Sequence, residues 1–464
     1  MKRLHEVIEV PRNVAEAFRY TANFGLIEQW DPGVTESEKL TAGALGVGSR
    51  FRVVVKSGLG SSEMHYTITH WEPPHRVVLE GEGDAIHAVD DIRFVEIAGG
   101  TRIDYTADIS LGGVAGKAEF LLGPVLERVG KKAMAGLKNA LTLDSTPPAD
   151  SLTRDLLDRM VLPGAMGFTR FGYERRRKTW RPISESLAGR TAVITGATSG
   201  LGRVVAEQLS GLGARVVLVG RSREKLERAA EEIVEATGNR DVALEKADLG
   251  LMSEVRSLAH RLLRNEKAIH ILVNNAAVLP VEKSQTTEGL ETAFATDLMS
   301  PYLLTRLLIP RLRESAPARI INVSSGGMYL SGIDPDQLEN PEGRYDGARA
   351  YARAKRGLMI LTELWAEELQ DSGVVVNAMH PGWADTPGVQ DSLPGFHKLT
   401  RLVLRTPEQG ADTIVWLAAA TEAGNVSGKL WLDREPHLAA ILPGTEGDPR
   451  QREQLLKKLT RLAA

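Results

Sequence analysis

The sequence predicts two architectures in tandem: an α+β domain, then an α/β domain built on a doubly wound parallel sheet. Three observations carry this. Residues 191–202, TAVITGATSGLG, pass from an apolar, β-branched run through a glycine cluster directly into an amphipathic pattern (Val204, Val205, Leu209, Leu212), the order strand, tight turn, helix. Beyond that stretch, apolar runs at 215–219, 242–246, 269–273 and 319–323 alternate with helical segments, as βαβ units do. Ahead of it, residues 1–145 read as short alternating strands closed by one long amphipathic pattern.

Composition bounds the function. The 464 residues suffice for two or three domains, and 42% hydrophobic with 25% charged residues is ordinary for a globular chain. With 57 basic and 60 acidic residues the formal charge is −3, so no basic field recommends nucleic acid as a partner. Zero cysteines exclude disulfides, thiolate nucleophiles and cysteine metal sites. The opening MKRLHEVIEV has no long apolar core, and no apolar run is long enough to span a bilayer, so a cytoplasmic location is expected.

In the first domain, 1–145, strands are expected at 4–10, 49–56, 63–71, 76–80, 86–95 and 101–109, with a helical stretch after Pro11 containing Val14, Ala17, Phe18 and Phe24. Met64, Tyr66 and Ile68 share one face of their strand and His65, Thr67 and Thr69 the other, so one side of an antiparallel sheet is covered. The cover is the pattern at 114–143, which includes Phe120, Leu121, Val125, Leu126, Val129, Met134, Leu137 and Leu141. This is a helix-grip arrangement. Through EVIEVPRNVAEAF, FGLIEQWDP, WEPPHRVVLEGEG and TRIDYTADI the segment resembles the polyketide cyclase/dehydrase-type members of the SRPBCC superfamily. That resemblance implies an apolar cavity between sheet and long helix, suited to a lipid-like ligand. No histidine–carboxylate group here has metal-ligand spacing, and no residue is assigned a catalytic role: His65, His70, Trp71, His87 and Tyr105 read as packing or exposed strand positions.

Residues 146–186 read as a connector. DSTPPAD has loop composition, 152–162 is amphipathic, and GFTRFGYERRRKTWRP sets four consecutive basic residues, 175–178, among Phe168, Phe171, Tyr173 and Trp180. Such a mixture suits peripheral contact with an anionic membrane; more commonly the charges are solvated and the aromatics dock on a neighbouring domain.

The second domain is expected at 187–446, with 447–464 as a terminal amphipathic helix of no evident chemical role. Gly196 turns where a side chain would clash, and Gly200 and Gly202 let backbone N–H groups and a helix N-terminus approach a pyrophosphate. At the end of the second strand, where a carboxylate would accept hydrogen bonds from an adenosine ribose, the chain has Gly220 followed by Arg221. A guanidinium there suits a 2′-phosphate, which favours NADP(H) over NAD. Ser222 caps the next helix.

TGATSGLG, Asp248-Leu249, NNAA, INVSS, YARAK (351–355) and HPGWADT (380–386) stand in the order typical of short-chain dehydrogenases/reductases, which this domain resembles over about 190 residues. SSGGMYL, AYARAKRGLMILTELWA, MHPGWADTPGVQDSLPGF and EQGADTIVWLA are more narrowly similar to the SDR family member 12 group. The resemblance implies a Rossmann-type fold and a dinucleotide held by Gly196, Ser199, Gly200, Leu201 and Gly202, with Arg221 at its phosphate. Asp248 and Leu249 then flank the adenine, Asn275 the ribose region and Trp383 to Thr386 the carboxamide. It also makes Ser325, Tyr351 and Lys355 catalytic. Spacing supports the last pair: Tyr351 and Lys355, four apart, share one helix face, and a nearby ammonium is expected to lower the tyrosine pKa. Ser325 is expected to hydrogen-bond a substrate oxygen as it gains charge.

Two departures from the family pattern stand out. Its helix asparagine is here Asp297, whose carboxylate would partly cancel the field of Lys355; Pro301, four residues on, would free the Asp297 carbonyl to hold a relay water. Ser325 and Tyr351 are 26 positions apart (351 minus 325), roughly twice the family's usual gap, and the insertion is expected to form a lid or wall over the site. The resulting expectation is a nicotinamide-dependent oxidoreductase interconverting carbonyl and alcohol on an apolar substrate, with no metal. The alternative is a weakly catalytic NADP(H)-binding lipid carrier or sensor. Nothing in the sequence requires or excludes a homo-oligomer.

Overall fold

The computed structural model describes residues 2–41, 45–57, 60–84, 86–111, 119–142, 167–177, 180, 183, 185–339, 345–386, 390 and 394–463. The 152–162 amphipathic stretch, the heart of the insertion (340–344) and most of 387–393 therefore lie outside the described residues. The chain divides into two units, Met1–Ser145 with Lys178–Glu185, and Thr146–Arg177 with Ser186–Ala464.

The first unit is a seven-stranded antiparallel sheet in the order β1-β7-β6-β5-β4-β3-β2, gripping the helix Glu119–Thr142. Its strands are β1 (Lys2–Val10), β2 (Val34–Lys39), β3 (Arg50–Ser57), β4 (Gly60–Glu72), β5 (Arg76–Gly83), β6 (Ile86–Ile97) and β7 (Gly100–Leu111). Met64, Tyr66 and Ile68 do face the core, with Phe18, Phe51 and Phe94. β2 was not expected: VTESEK carries no apolar alternation, and the strand forms by pairing with β3 at the sheet edge. Asn13 caps the helix Val14–Ala22 by accepting from the Glu16 N–H at 2.9 Å.

The second unit has an eight-stranded sheet in the order β10-β9-β8-β11-β12-β13-β14-β15. The strands are β8 (Thr191–Thr195), β9 (Arg215–Gly220), β10 (Val242–Lys246), β11 (Ile271–Asn274), β12 (Ala318–Val323), β13 (Val374–Met379), β14 (Leu430–Leu432) and β15 (Glu435–His437). All neighbours are parallel except the final pair. Chain direction reverses its march across the sheet between β8 and β11, which opens a crevice at the strand ends. β8, β9 and β11 are almost wholly buried, as the apolar runs predict for strands covered on both faces.

The C-terminal helix Pro449–Ala463 is part of this unit rather than an appendage. Leu455 and Leu459 sit in the main core, and the Tyr302 hydroxyl pairs with Thr460 Oγ1 at 2.8 Å. The insertion, expected as a lid or a wall, is anchored in the core. Ile333 and Leu338 are core residues, and Lys458 of the C-terminal helix donates to the Pro335 carbonyl (2.7 Å) and pairs with Glu339 (2.7 Å). Its described part is packed against that helix and is no free lid. Of the aromatics near the basic run, Phe168 packs edge-on to His380 and Tyr173 is buried, whereas Phe171 is exposed.

Candidate active site

The glycine turn is built by close approach. Gly196 (φ 67°) and Gly200 (φ 55°) hold conformations that side chains disfavour. A Cβ on Gly202 would stand 2.3 Å from the Gly196 carbonyl oxygen and 2.4 Å from Asn275 Nδ2, so only glycine closes the turn. Ser199 precedes the helix Gly200–Gly211 without making a side-chain cap bond, and it is exposed. The first-turn N–H groups therefore have no local acceptor from the cap and face outward with the helix dipole behind them. Leu201 is half-buried beside them.

Asn275 braces this turn. Its Nδ2 donates to the Thr195 carbonyl at 2.8 Å, and its own N–H is received by Thr195 Oγ1 at 2.9 Å. The amide nitrogen is thus committed to the turn. Thr195, which sequence reasoning passed over, is the pin: its hydroxyl also donates to the Val273 carbonyl at 3.1 Å and accepts from Ala276 N–H.

At the end of β9, a Cβ on Gly220 would stand 2.9 Å from Thr198 Cγ2, so an acidic side chain does not fit without displacing Thr198. Arg221 is exposed beside it, and Ser222 caps the helix Arg223–Thr237 by accepting from Lys225 N–H at 3.3 Å. At the end of β10, Asp248 folds back to accept the Gly250 N–H at 2.9 Å, and Leu249 is buried. Thr386 is half-buried at the far side of the crevice, beyond β13.

The reactive cluster forms where β12 ends above the helix Gly347–Glu368. The Ser325 hydroxyl accepts the Gly327 N–H at 3.3 Å and acts on the Tyr351 phenol, holding its pKa down. Ser324 is buried, its Oγ against Met328 Sδ at 3.1 Å. Lys355 is fully buried, with Nζ 5.6 Å from the Tyr351 ring centre and donating to the Val323 carbonyl at 3.0 Å. Asp297 lies in a π-helical turn, Ala295–Met299, just before Pro301. Its Oδ1 accepts the Val278 N–H at 2.8 Å, and Oδ2 has no partner among the described residues.

Charges in this cluster do not act as the spacing alone suggests. Burial pushes the Asp297 carboxyl up and the Lys355 ammonium pulls it back down; burial lowers Lys355 and Asp297 supports its charge. Tyr351 is raised above the ordinary phenol value, first by burial and then by Asp297, against the opposing Ser325 hydroxyl. Burial and Asp297 both run against the lowering of Tyr351 expected from Lys355. Asp297 acts on the lysine and on the phenol alike, where the family's asparagine would carry no charge.

With this geometry in place, the similarities to known proteins become informative. Residues 190–395 match the family model described as short chain dehydrogenase, and residues 1–142 the one described as Polyketide cyclase / dehydrase and lipid transport. The dehydrogenase/reductase SDR family member 12 of Bos taurus is 37% identical over 306 residues, 65% of this chain and 95% of its own length. The chain belongs to the short-chain dehydrogenase family. Retinol dehydrogenase 13 of Mus musculus is 37% identical over 53% of this chain and 77% of its own, and the mouse retinol dehydrogenase 12 is 38% identical over 53% and 78%. As a short-chain dehydrogenase the chain is an NAD(P)-dependent oxidoreductase with a Rossmann-like second domain. The glycine cradle that a Cβ at 202 would fill, opening onto an uncapped helix N-terminus, fits the dinucleotide the family uses. Among the described residues, no helix is long and apolar enough to cross a membrane, and no group of acidic or histidine side chains is arranged to hold a metal ion.

Proposed function

We propose that the chain is an NADP(H)-dependent oxidoreductase interconverting a carbonyl and an alcohol on an apolar, lipid-like substrate, with the N-terminal unit holding a ligand of that class. The observation that carries the reading is Lys355 Nζ 5.6 Å from the ring centre of Tyr351 on the same helix, with the Ser325 hydroxyl acting on that phenol, at the strand ends of the sheet whose first turn is the glycine cradle. Two of the similar proteins are named for retinol, an apolar alcohol, which agrees with this substrate class.

In this reading Gly196, Ser199, Gly200, Leu201 and Gly202 hold the pyrophosphate, Arg221 the 2′-phosphate, Asp248 and Leu249 flank the adenine, and Thr386 borders the carboxamide. Asn275 keeps the cradle in shape. The nicotinamide, when bound, supplies or takes up a hydride. Tyr351, held protonated by burial and Asp297, donates its proton to the substrate oxygen, the acid form that carbonyl reduction needs. Ser325 hydrogen-bonds the same oxygen as negative charge grows on it. Lys355 and Asp297 form the buried reserve from which the phenol is reprotonated.

The test is NADPH oxidation by the purified protein against aldehydes, ketones and sterol-like carbonyls. Tyr351→Phe is expected to lower turnover by about 10²- to 10⁴-fold while NADPH still binds. Arg221→Ala is expected to weaken NADPH about tenfold and leave NADH unchanged. Retained turnover in Tyr351→Phe contradicts the assignment.

A further inference from the structure

The inner face of the first unit carries an acid where its neighbours are apolar. On β6, Ala88, Asp90, Ile92 and Phe94 share the buried face, and Asp90 is 5% exposed. Asp90 lies opposite Leu79 of β5 and Ala107 of β7; Tyr105, opposite Ile92, is its diagonal neighbour on the same face. Tyr105 and Asp90 act on one another: the phenol holds the carboxyl down and the carboxyl pushes the phenol up. Tyr66 reaches toward the same spot from β4, across Gly81. A Cβ on Gly81 would stand 2.5 Å from the Tyr66 ring, so glycine is what lets that ring lie over β5.

This polar cluster is left incomplete. Among the described residues no lysine or arginine pairs with Asp90, and its Oδ2 has no hydrogen-bond partner. The Tyr20 hydroxyl, the Thr21 hydroxyl and Trp30 Nε1 in the same unit are also buried without partners. An unsatisfied buried polar atom costs about 1–3 kcal/mol, so several in one small domain mark a surface completed by something the chain does not supply. The core around Tyr66 is aromatic and aliphatic, including Phe24, whose ring centre lies 5.0 Å from that of Tyr66.

We infer that the first unit binds an apolar molecule by one uncharged oxygen, a carbonyl or a hydroxyl, received by Asp90 Oδ2 with the Tyr66 and Tyr105 hydroxyls around it. Burial pushes the Asp90 carboxyl up to about 7, so near neutrality it offers a proton to a carbonyl or takes a hydrogen bond from a hydroxyl. The inference rests on the reading of this unit as the holder of an apolar ligand, and its test separates the two.

The full-length protein is titrated with naphthalene, 2-naphthol and 2-acetylnaphthalene, following probe fluorescence. Wild type is expected to bind the oxygenated probes about tenfold tighter than naphthalene. Asp90→Leu is expected to abolish that preference by weakening the oxygenated probes alone, and Tyr105→Phe, which keeps the ring, to reduce it. Equal binding of all three probes by wild type, or an unchanged preference in a folded Asp90→Leu, overturns the oxygen anchor and leaves the apolar-ligand reading standing. Binding of none of them overturns both.

Discussion

Replacing Arg405 by methionine removes a buried cation that ties three segments of the second unit together. Its guanidinium grips Asp433 through two bonds of 2.6 and 2.9 Å, with side chains 2% and 1% exposed. It also donates to the Gly167 carbonyl at 2.7 Å and to that of Phe168 at 3.1 Å, and stacks 5.5 Å from the Tyr173 ring. Its backbone in turn holds the 383–385 loop, through Arg405 N–H to the Trp383 carbonyl (2.7 Å) and Asp385 N–H to the Arg405 carbonyl (2.8 Å). Removing one partner of a buried pair strands the other, a loss of about 3–5 kcal/mol. Several further bonds go with it, so the upper part of that range is expected. Arg405→Met with Asp433→Asn removes the stranded charge, and asparagine tolerates the φ of 54° at 433, so the double variant is expected to recover at least half. Urea unfolding gives the stabilities, and hydrogen exchange at 380–386 reports the loop. A single variant within about 1 kcal/mol of wild type, or a double variant no better than the single, refutes the reasoning.

Asp297→Asn removes the carboxylate that raises Tyr351, so the phenol pKa falls and the alkaline limb of the rate profile moves to lower pH; an unmoved limb shows that Asp297 does not act on Tyr351. Pro301→Ala restores an N–H opposite the Asp297 carbonyl and is expected to cut turnover severalfold, to be read from steady-state rates; an unaltered rate and pH profile dismisses the relay water. For Asp90 the folded pKa, about 7, lies above the unfolded value, so its penalty is absent below about pH 4, grows as pH rises and is complete above about pH 7, on the order of 4 kcal/mol. Asp90→Asn is accordingly expected to stabilise the first unit at pH 8 and not at pH 4, a difference seen in urea titrations at the two pH values. Gly202→Ala forces the cradle apart and is expected to weaken NADPH at least about tenfold in calorimetry while the protein stays folded.

Much of this was legible in the residues because local chemistry dictated it. β8 and its turn announce themselves: five buried residues need an apolar run, and a backbone approach of 2.3 Å permits only glycine. The i, i+4 placement of Tyr351 and Lys355 likewise follows from helix geometry. Asp90 was within reach of the same logic, since it stands in register with Ala88, Ile92 and Phe94, while the adjacent Asp91 pairs with Arg76. What pattern could not show was long-range pairing. The edge strand β2, the Arg405–Asp433 clip, the docking of the insertion on the C-terminal helix and the raised tyrosine all depend on residues far apart in sequence. The tyrosine shows the difference most sharply, because its lysine and the opposing Asp297 were visible in the sequence and the burial that raises it most was not.

Calorimetric titration of the folded wild-type protein with NADPH and with NADH tests the central claim most directly. Saturable uptake of NADPH, with NADH weaker, is the predicted result; no heat of binding from either dinucleotide contradicts the account.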